Sequence, residues 1–599
     1  MSGIFDIASQ KSYHLPMFNS DLLKSPPSPN GFGRVNKWTV FCLLTLVVFA
    51  VFGQAIWFDY VQLDEGILLV NNHFFISKIA NFFQVFKHDI NYPSAVAPYY
   101  RPIFVLSFML NSQISSSPLS YHVGNILLHI VAVFLFFGLL RELGTKRIVS
   151  VLFSVLFATH PAVTPVVAWV PGRIEAILAI FTLLSFIMFI RFLRTNDWRY
   201  LVSFLLSFTV AIFTKEVAIA LLPVLLFFYL MHRKEKGSEM LVTLLSGLVG
   251  IIIAWFFIRR SILAGAQITE MSFPQMLTVL WSNASAIFLY LGKTLLPFNL
   301  TVLPVLENST LVYGFSALAV LAGSFIVSYL RHRKSKDSDL RCQFLGLLWF
   351  LAFLAPSLIS YNSSERMVFF EHRLYLPLVG ILIFFASSGW MNRLDFKKLK
   401  NLGPALVIII LFSVFTLNYS GAYKDKMSFW QKAVADSPQS FQSHNGLATA
   451  YLIDGKTEEA VTEFTKTLEI NPKAKRVHLL LGLYYLDQGQ YDKAKAEFEK
   501  EIELDSRQFV AYHGLGRIYA SKKNLKEAEK YFVKTLELNA DYVLARQDLV
   551  VLYFSQNKHP QAIAQLKELL KTQRPEAMHP QILKILEIYS KESGSELKL

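Results

Sequence analysis

A chain of 599 residues that is 53% apolar and holds 52 phenylalanines is not composed like a soluble protein. Its apolar residues come in blocks of about twenty, the length of helix that crosses a bilayer core. The formal net charge of +15 does not mark a nucleic-acid binder: residues 421–599 hold 26 Lys and Arg against 24 Asp and Glu, and the rest hold 32 against 19. The basic excess therefore lies in the apolar part, where it reports topology. Only two cysteines are present, Cys42 and Cys342, so no disulfide framework or cysteine-based metal site is available.

Residues 1–37 are polar and contain Ser and Pro, which reads as a cytoplasmic tail. The apolar run 38–57 follows as an uncleaved anchor, with a small-residue cleavage pattern around Ala50 to Ala55 as the alternative. About eleven spans are expected: 38–57, 121–140, 148–167, 174–193, 198–214, 217–232, 241–259, 311–330, 343–360, 374–390 and 402–420. The first outer loop covers 58–120, and its apolar stretch 102–114 is too short to cross.

The stretch 275–296 is long enough to cross, and charge decides against it. Six loops, 1–37, 141–147, 191–199, 231–240, 331–341 and 391–400, hold 22 of the 32 basic residues outside 421–599. All six reach the cytoplasmic side only if 275–296 lies along the interface. Eleven spans from an inside start then place the C-terminal part outside. Ten cations remain off those loops: Lys78, Lys87, Arg101, Arg173, Lys215, Arg259, Arg260, Lys293, Arg366 and Arg373. Cations on that side call for anionic partners or for headgroups to snorkel to.

A linker is expected at 421–440, and from 441 to 599 a period of 34 residues sets in. It aligns Leu447, Leu481, Leu515 and Leu549, then Tyr451, Tyr485, Tyr519 and Tyr553, then Ala460, Ala494, Ala528 and Ala562. Phe464, Phe498 and Phe532 follow the same interval, and Ala448, Gly482 and Gly516 precede the tyrosines by three. This is the tetratricopeptide pattern, two antiparallel helices per repeat with small residues at their crossing. Val550 and Leu566 break the columns in the fourth repeat, which begins a cap that 577–590 completes.

The chemistry-bearing residues gather at the outer ends of the spans. Asp64 and Glu65 form an adjacent acidic pair just beyond the first span. A carboxylate there can take a proton from an acceptor hydroxyl, and its neighbour raises its pKa by repulsion. Tyr99-Tyr100-Arg101-Pro102 precedes the short apolar stretch; His122, Asn125 and His129 share a helix face. His160-Pro161, Trp169, Gly172-Arg173, Lys215-Glu216 and Glu371-His372-Arg373 lie on the same side. Lys215 and Glu216 can equally neutralise each other, and His129 can be a satisfied interior donor.

These motifs, with Tyr121-His122-Val123-Gly124-Asn125 and Arg373-Leu374-Tyr375-Leu376-Pro377, resemble the family of transmembrane and tetratricopeptide-repeat proteins, related to protein O-mannosyltransferases of the GT-C fold. The likeness covers nearly the whole chain. It departs in Asp64-Glu65 where two aspartates are expected, and in Pro165 and Pro171.

The resemblance implies an all-α fold, a GT-C-type membrane bundle at 38–420 followed by an α-solenoid of about four repeats plus cap. It implies a polyprenyl- or dolichyl-phosphate sugar donor and inverting transfer to a protein Ser or Thr hydroxyl on the extracytoplasmic face. Asp64 or Glu65 would be the base. Arg101, His129, His160, Arg173, Lys215 and Arg373 would hold the donor phosphate. No motif with metal-ligand spacing is visible, and a divalent cation stays open because GT-C relatives differ in needing one. The repeat groove would recruit the acceptor and raise its local concentration. The membrane would be a bacterial inner membrane or, in a eukaryote, the endoplasmic reticulum. The alternatives are a GT-C transferase acting on a glycan or lipid, and a non-enzymatic membrane scaffold.

Overall fold

The computed structural model describes residues 37–92, 99–232, 238–264, 271–305, 310–335, 340–359, 369–572, 582–585 and 587. The expected tail up to 36, most of the expected cap, the loops at 233–237 and 336–339, and Arg366 lie outside those residues. The chain forms two compact units, 1–437 and 438–599.

In the first unit the main helices are α1 Lys37–Phe52, α2 Pro102–Ser112, α3 Pro118–Glu142, α4 Arg147–Thr159, α5 Arg173–Thr195, α6 Trp198–Thr214, α7 Leu221–His232 and α8 Ser238–Ile262. They continue as α9 Phe273–Ser282, α10 Ser285–Leu295, α11 Val312–Ser335, α12 Leu340–Leu358, α13 Tyr375–Ala386, α14 Leu399–Ser420 and α15 Lys426–Asp436. Among the described residues seven helices are long and apolar enough to cross a membrane, or eight with the bent pair 147–159 and 161–168. The chain is a membrane protein. The eleven expected spans include three shorter helices, α6, the Glu216–His232 segment and α13. Residues 275–296 form two short helices broken at Asn283–Ala284, and neither reaches a bilayer's thickness alone.

Helix α5 runs through the middle of the bundle: 78% of its apolar window is buried, against 11% for the segment containing α14. Helices α12 and α13 cross at two glycines. A Cβ on Gly346 would stand 2.5 Å from the carbonyl oxygen of Gly380, and one on Gly380 would stand 2.6 Å from the backbone nitrogen of Phe350. Close backbone approach of this kind is how helices gain contact where lipid removes the hydrophobic drive. Trp349 Nε1 donates to the Leu376 carbonyl at 2.9 Å beside the crossing.

Connectivity sorts the helix ends into two sets. At one end Glu142 accepts from Arg191 Nε at 2.7 Å and pairs with Arg194, joining two of the basic loops. At the other end lie the close of α1, the starts of α3, α5 and α13, and residues 58–92. That loop packs Leu68, Leu69 and Ile76 on Phe104, Phe108 and Met109 of α2, on Tyr121 and on Ile174.

Residues 421–440 are not a linker. Gly421–Tyr423 is a helical turn and α15 follows, with Tyr423, Phe429, Trp430 and Ala433 buried in the first unit. Asp425 caps the helix, its Oδ1 accepting from Ser428 N at 2.8 Å. Aromatic residues at helical spacing give the segment a face to bury.

The second unit holds four helix pairs: α16 Phe441–Ile453 with α17 Thr457–Ile470, α18 Val477–Asp487 with α19 Tyr491–Leu504, α20 Phe509–Ser521 with α21 Leu525–Leu538, and α22 Val543–Ser555 with α23 His559–Thr572. A Cβ on Gly482 would stand 2.7 Å from the Phe498 ring, and one on Gly516 2.5 Å from Phe532, which explains the small-residue column. Val550, Leu566 and Leu569 pack with Ile582 and Ile585, extending the core beyond α23.

Two further columns recur at the same interval. The residue closing each first helix is left-handed: Gly455 at φ +74°, Gly489 at +68°, Lys523 at +59° and Asn557 at +57°. Near the start of the first helix a side chain ties the preceding loop to the second helix. His444 Nδ1 meets Glu463 at 2.5 Å and Nε2 meets the Pro438 carbonyl at 3.1 Å; His478 repeats this with Glu497 and Pro472 at the same distances. In the fourth repeat Arg546 takes the place, donating to Gln565 at 2.9 Å and to the Ala540 carbonyl at 2.5 Å. In the third, the Tyr512 ring lies tilted beside Tyr531 of the second helix, 6.4 Å between centroids.

Candidate functional site

Beyond α1 the chain turns at Gly53–Trp57 and again at Gln62, whose φ is +59°. This second turn splits the acidic pair. Asp64 is exposed, whereas Glu65 is 1% exposed. Glu65 Oε2 accepts from the backbone N–H of Leu63 at 3.1 Å and of Asp64 at 3.3 Å. Burial pushes the Glu65 carboxyl up to about 7, with the Asp64 charge adding to it and the backbone N–H groups opposing. Burial raises the Asp64 carboxyl above its ordinary value as well, so both carboxyls sit among protein atoms, Asp64 on the more open side of the turn and Glu65 enclosed within it.

Three expected cations come together. Arg101 lies just before α2, its guanidinium over the Tyr99 ring at 4.4 Å, and Lys215 sits at the end of α6. Arg373 precedes α13, over the Phe370 ring at 5.5 Å. All three act on His372: burial first, then the charges of Lys215, Arg373 and Arg101, hold its imidazole well below the ordinary value. His372 packs against Trp169 at 5.5 Å.

Two carboxylates balance this cluster. Glu216 accepts from Arg101 Nε at 3.2 Å and Nη2 at 2.6 Å, and Lys215 pairs with Glu175. Lys215 and Glu216 thus neutralise distant partners rather than each other. Arg373 Nη1 donates to the Ser357 carbonyl at 3.4 Å, and among the described residues no carboxylate pairs with it. Three cations against two anions leave a positive surplus beside Arg373.

The other three expected phosphate ligands are not part of this cluster's open side. Arg173 is 1% exposed, donating to Asn125 Oδ1 at 2.8 Å and the Tyr121 carbonyl at 2.7 Å, with its guanidinium 4.7 Å over Phe108. His129 is fully buried between the Tyr375 hydroxyl at 2.6 Å and the Ala158 carbonyl at 3.2 Å. His160 is held by the Thr294 carbonyl at 3.0 Å and the Ala162 N–H at 3.1 Å. These side chains satisfy buried polar groups inside the bundle.

Glu175 was not legible as a site residue. It lies two positions after Arg173, on the opposite helix face, so one turns inward and the other toward Lys215. Glu371 opens the Glu371-His372-Arg373 motif. It is 2% exposed, accepting from Lys293 Nζ at 2.7 Å, Thr301 N at 2.8 Å and the Tyr419 hydroxyl at 2.8 Å. It anchors the segment that carries His372 and Arg373. Among the described residues no group of three or more His, Cys, Asp or Glu is placed to hold a metal ion.

Known proteins match both units. Residues 102–258 match the family described as dolichyl-phosphate-mannose-protein mannosyltransferase, and 479–542 and 519–580 match tetratricopeptide repeats. A protein O-mannosyl-transferase of Caenorhabditis elegans is 24% identical over 387 residues, 62% of this chain and 54% of that protein. A Drosophila melanogaster protein O-mannosyl-transferase is 36% identical over 124 residues, 20% of this chain and 14% of the relative. One from Mus musculus is 22% identical over 413 residues, 62% of this chain and 44% of the relative. The chain thus spans about half the length of the curated relatives it matches. The mannosyltransferase match takes in Arg173, Glu175, Lys215 and Glu216, and the repeats follow it in the order of the motifs. The chain is thus similar, part by part and in the same order, to the transmembrane and tetratricopeptide-repeat proteins related to the protein O-mannosyltransferases.

Proposed function

We propose that this protein transfers mannose from a dolichyl- or polyprenyl-phosphate donor to a Ser or Thr hydroxyl of a protein, on the extracytoplasmic face. The relatives' names supply the reaction class. The observation that carries the reading is the positive surplus at Arg373, beside Lys215 and Arg101, at the bundle end that also holds Asp64.

The Asp64 carboxylate, its pKa raised by burial, takes the acceptor's hydroxyl proton as the oxygen bonds to the sugar's anomeric carbon. The bond from that carbon to the phosphate oxygen breaks, and its electron pair leaves with the lipid phosphate. Arg373 and Lys215 meet the charge that develops there. Attack opposite the leaving group inverts the anomeric centre. Glu65 positions Asp64 through the backbone, and the repeats bring the acceptor protein to the site, raising its local concentration.

The test uses the full chain in lipid nanodiscs with radiolabelled dolichyl-phosphate mannose and a Ser/Thr-rich peptide. Transfer is expected, lost in Asp64→Asn with donor binding retained, and raised in donor KM in Arg373→Gln. Full transfer by Asp64→Asn rejects Asp64 as the base; no transfer by the unaltered chain to any peptide or protein acceptor rejects the reaction.

A further inference from the structure

The third repeat departs from the others at one place. In repeats one, two and four a side chain of the first helix meets a partner 19 residues on in the second: His444 meets Glu463, His478 meets Glu497 and Arg546 meets Gln565. In the third the same two positions hold Tyr512 and Tyr531, rings tilted by 30° in place of a polar tie. Tyr531 is backed by Tyr519, stacked at 5.4 Å. Here the surface opens into a groove of about 690 Å³, lined by Tyr512 and by one face of α21 from Lys526 to Glu537.

A second departure falls on the same groove. Lys526, Lys530 and Lys534 stand four apart along that face, all exposed. At the matching positions the first repeat has Glu458 and Thr462 before Lys466, the second Asp492 and Ala496 before Lys500, and the fourth no cation. The acids nearby are engaged. Glu529 accepts from Tyr553 and Lys558 of the next repeat at 3.0 Å each, and Glu527 and Glu537 pair with Lys530 and Lys534 at 3.1 and 2.9 Å. Those last two pairs are exposed and contribute little, so an incoming carboxylate can replace them. Among the described residues no carboxylate pairs with Lys526. Helical rise sets the lysines about 6 Å apart, and an extended chain brings side chains to one face every ~6.6 Å. Over the roughly 16 Å of α21 that line it, the groove has a cross-section of roughly 40 Å², room for an extended chain and less than a helix about 10 Å across needs. We propose that this groove binds an extended acidic segment of a partner protein, with alternate carboxylates on Lys526, Lys530 and Lys534 and an apolar side chain against Tyr512. The binding does not depend on which group the membrane unit transfers.

The test is fluorescence anisotropy on the full chain in phosphatidylcholine nanodiscs, with a short labelled peptide in which Asp alternates with Val. Saturable binding is expected, several-fold weaker for a peptide of the same composition with its acids clustered, and absent when Asn replaces Asp. Lys526→Gln with Lys530→Gln and Lys534→Gln should weaken binding about tenfold, the sum of three exposed ion pairs, and flatten its salt dependence. Lys466→Gln with Lys500→Gln should leave it unchanged. Tyr512→His with Tyr531→Glu rebuilds the tie of the first two repeats, so it should close the groove and abolish binding while the repeat unit still melts cooperatively. Should that pair disturb the melting, the exposed lysine variants decide alone. Undiminished binding in the groove variants overturns the proposal by placing the peptide elsewhere. Equal affinity for the clustered peptide overturns it by reducing the site to net charge. No saturable binding of the alternating peptide, or binding of a neutral oligosaccharide in its place, overturns the class of partner.

Discussion

Glu216 reaches 115 residues back to Arg101, its two carboxylate oxygens accepting at 3.2 and 2.6 Å, while the adjacent Lys215 turns to Glu175. Two neighbours in sequence thus clamp two different elements, the entry to α2 and the entry to α5. Removing either partner of the Arg101 pair leaves a charge uncompensated. Arg101→Gln and Glu216→Gln should each destabilise by roughly 1–3 kcal/mol, with the double variant recovering part of the loss. Thermal unfolding of the four variants in detergent measures the coupling, and strict additivity would show that the clamp is idle.

Glu65 makes both stability and activity depend on pH. Its folded pKa, about 7, is raised above the ordinary carboxyl value, so its contribution is favourable at low pH and lost as pH rises through about 7. Glu65→Gln should therefore raise the melting temperature more at pH 8 than at pH 5. Ionised Glu65 holds the Leu63 and Asp64 N–H groups, so the proposed transfer should rise through about pH 7, and Gln should flatten that limb.

Lys523 occupies a left-handed position that Gly455 and Gly489 fill in the first two repeats. Lys523→Gly should stabilise the repeat unit by about 0.5–1 kcal/mol, because only the non-glycine residue strains at positive φ. Calorimetry of the full chain, read on the repeat transition, checks this. The same change at exposed Lys526, inside α21, should destabilise by a similar amount.

The His478 imidazole contacts acceptors through both nitrogens, so its charged form is the one that satisfies them. The hydrogen bond that Nδ1–H donates to the Glu497 carboxylate raises its pKa above the ordinary value. The link is fully present below that ordinary value and is lost as pH rises through the folded one. The repeat transition should weaken as pH rises above the ordinary imidazole value, and His478→Gln should remove part of that slope.

The repeat unit was legible because its columns keep their residue types: Leu, Tyr, Ala and Phe return every 34 residues. The linking column is not legible in the same way, because its chemistry changes from His444 and His478 to Tyr512 and Arg546 while its position stays fixed. In the membrane unit the acidic pair and the cations could be found as charges out of place. Their pairing could not, since Glu175, Glu216 and Glu371 meet partners 40, 115 and 78 residues away. Nor does spacing reveal that Arg173, His129 and His160 are sealed by backbone carbonyls of other helices.

The crossing of Gly346 and Gly380 gives the bundle a pivot. Neither backbone can slide or separate without opening a void that no side chain fills, so α13 is held at one point along its length. Arg373 lies seven residues from that point, a lever arm of about 10 Å at helical rise. A tilt of about 10° at the pivot would carry the guanidinium roughly 2 Å, enough to make or break a contact with phosphate. The placement of a charge at the outer end of the bundle is thus set, in good part, by the absence of two side chains within it.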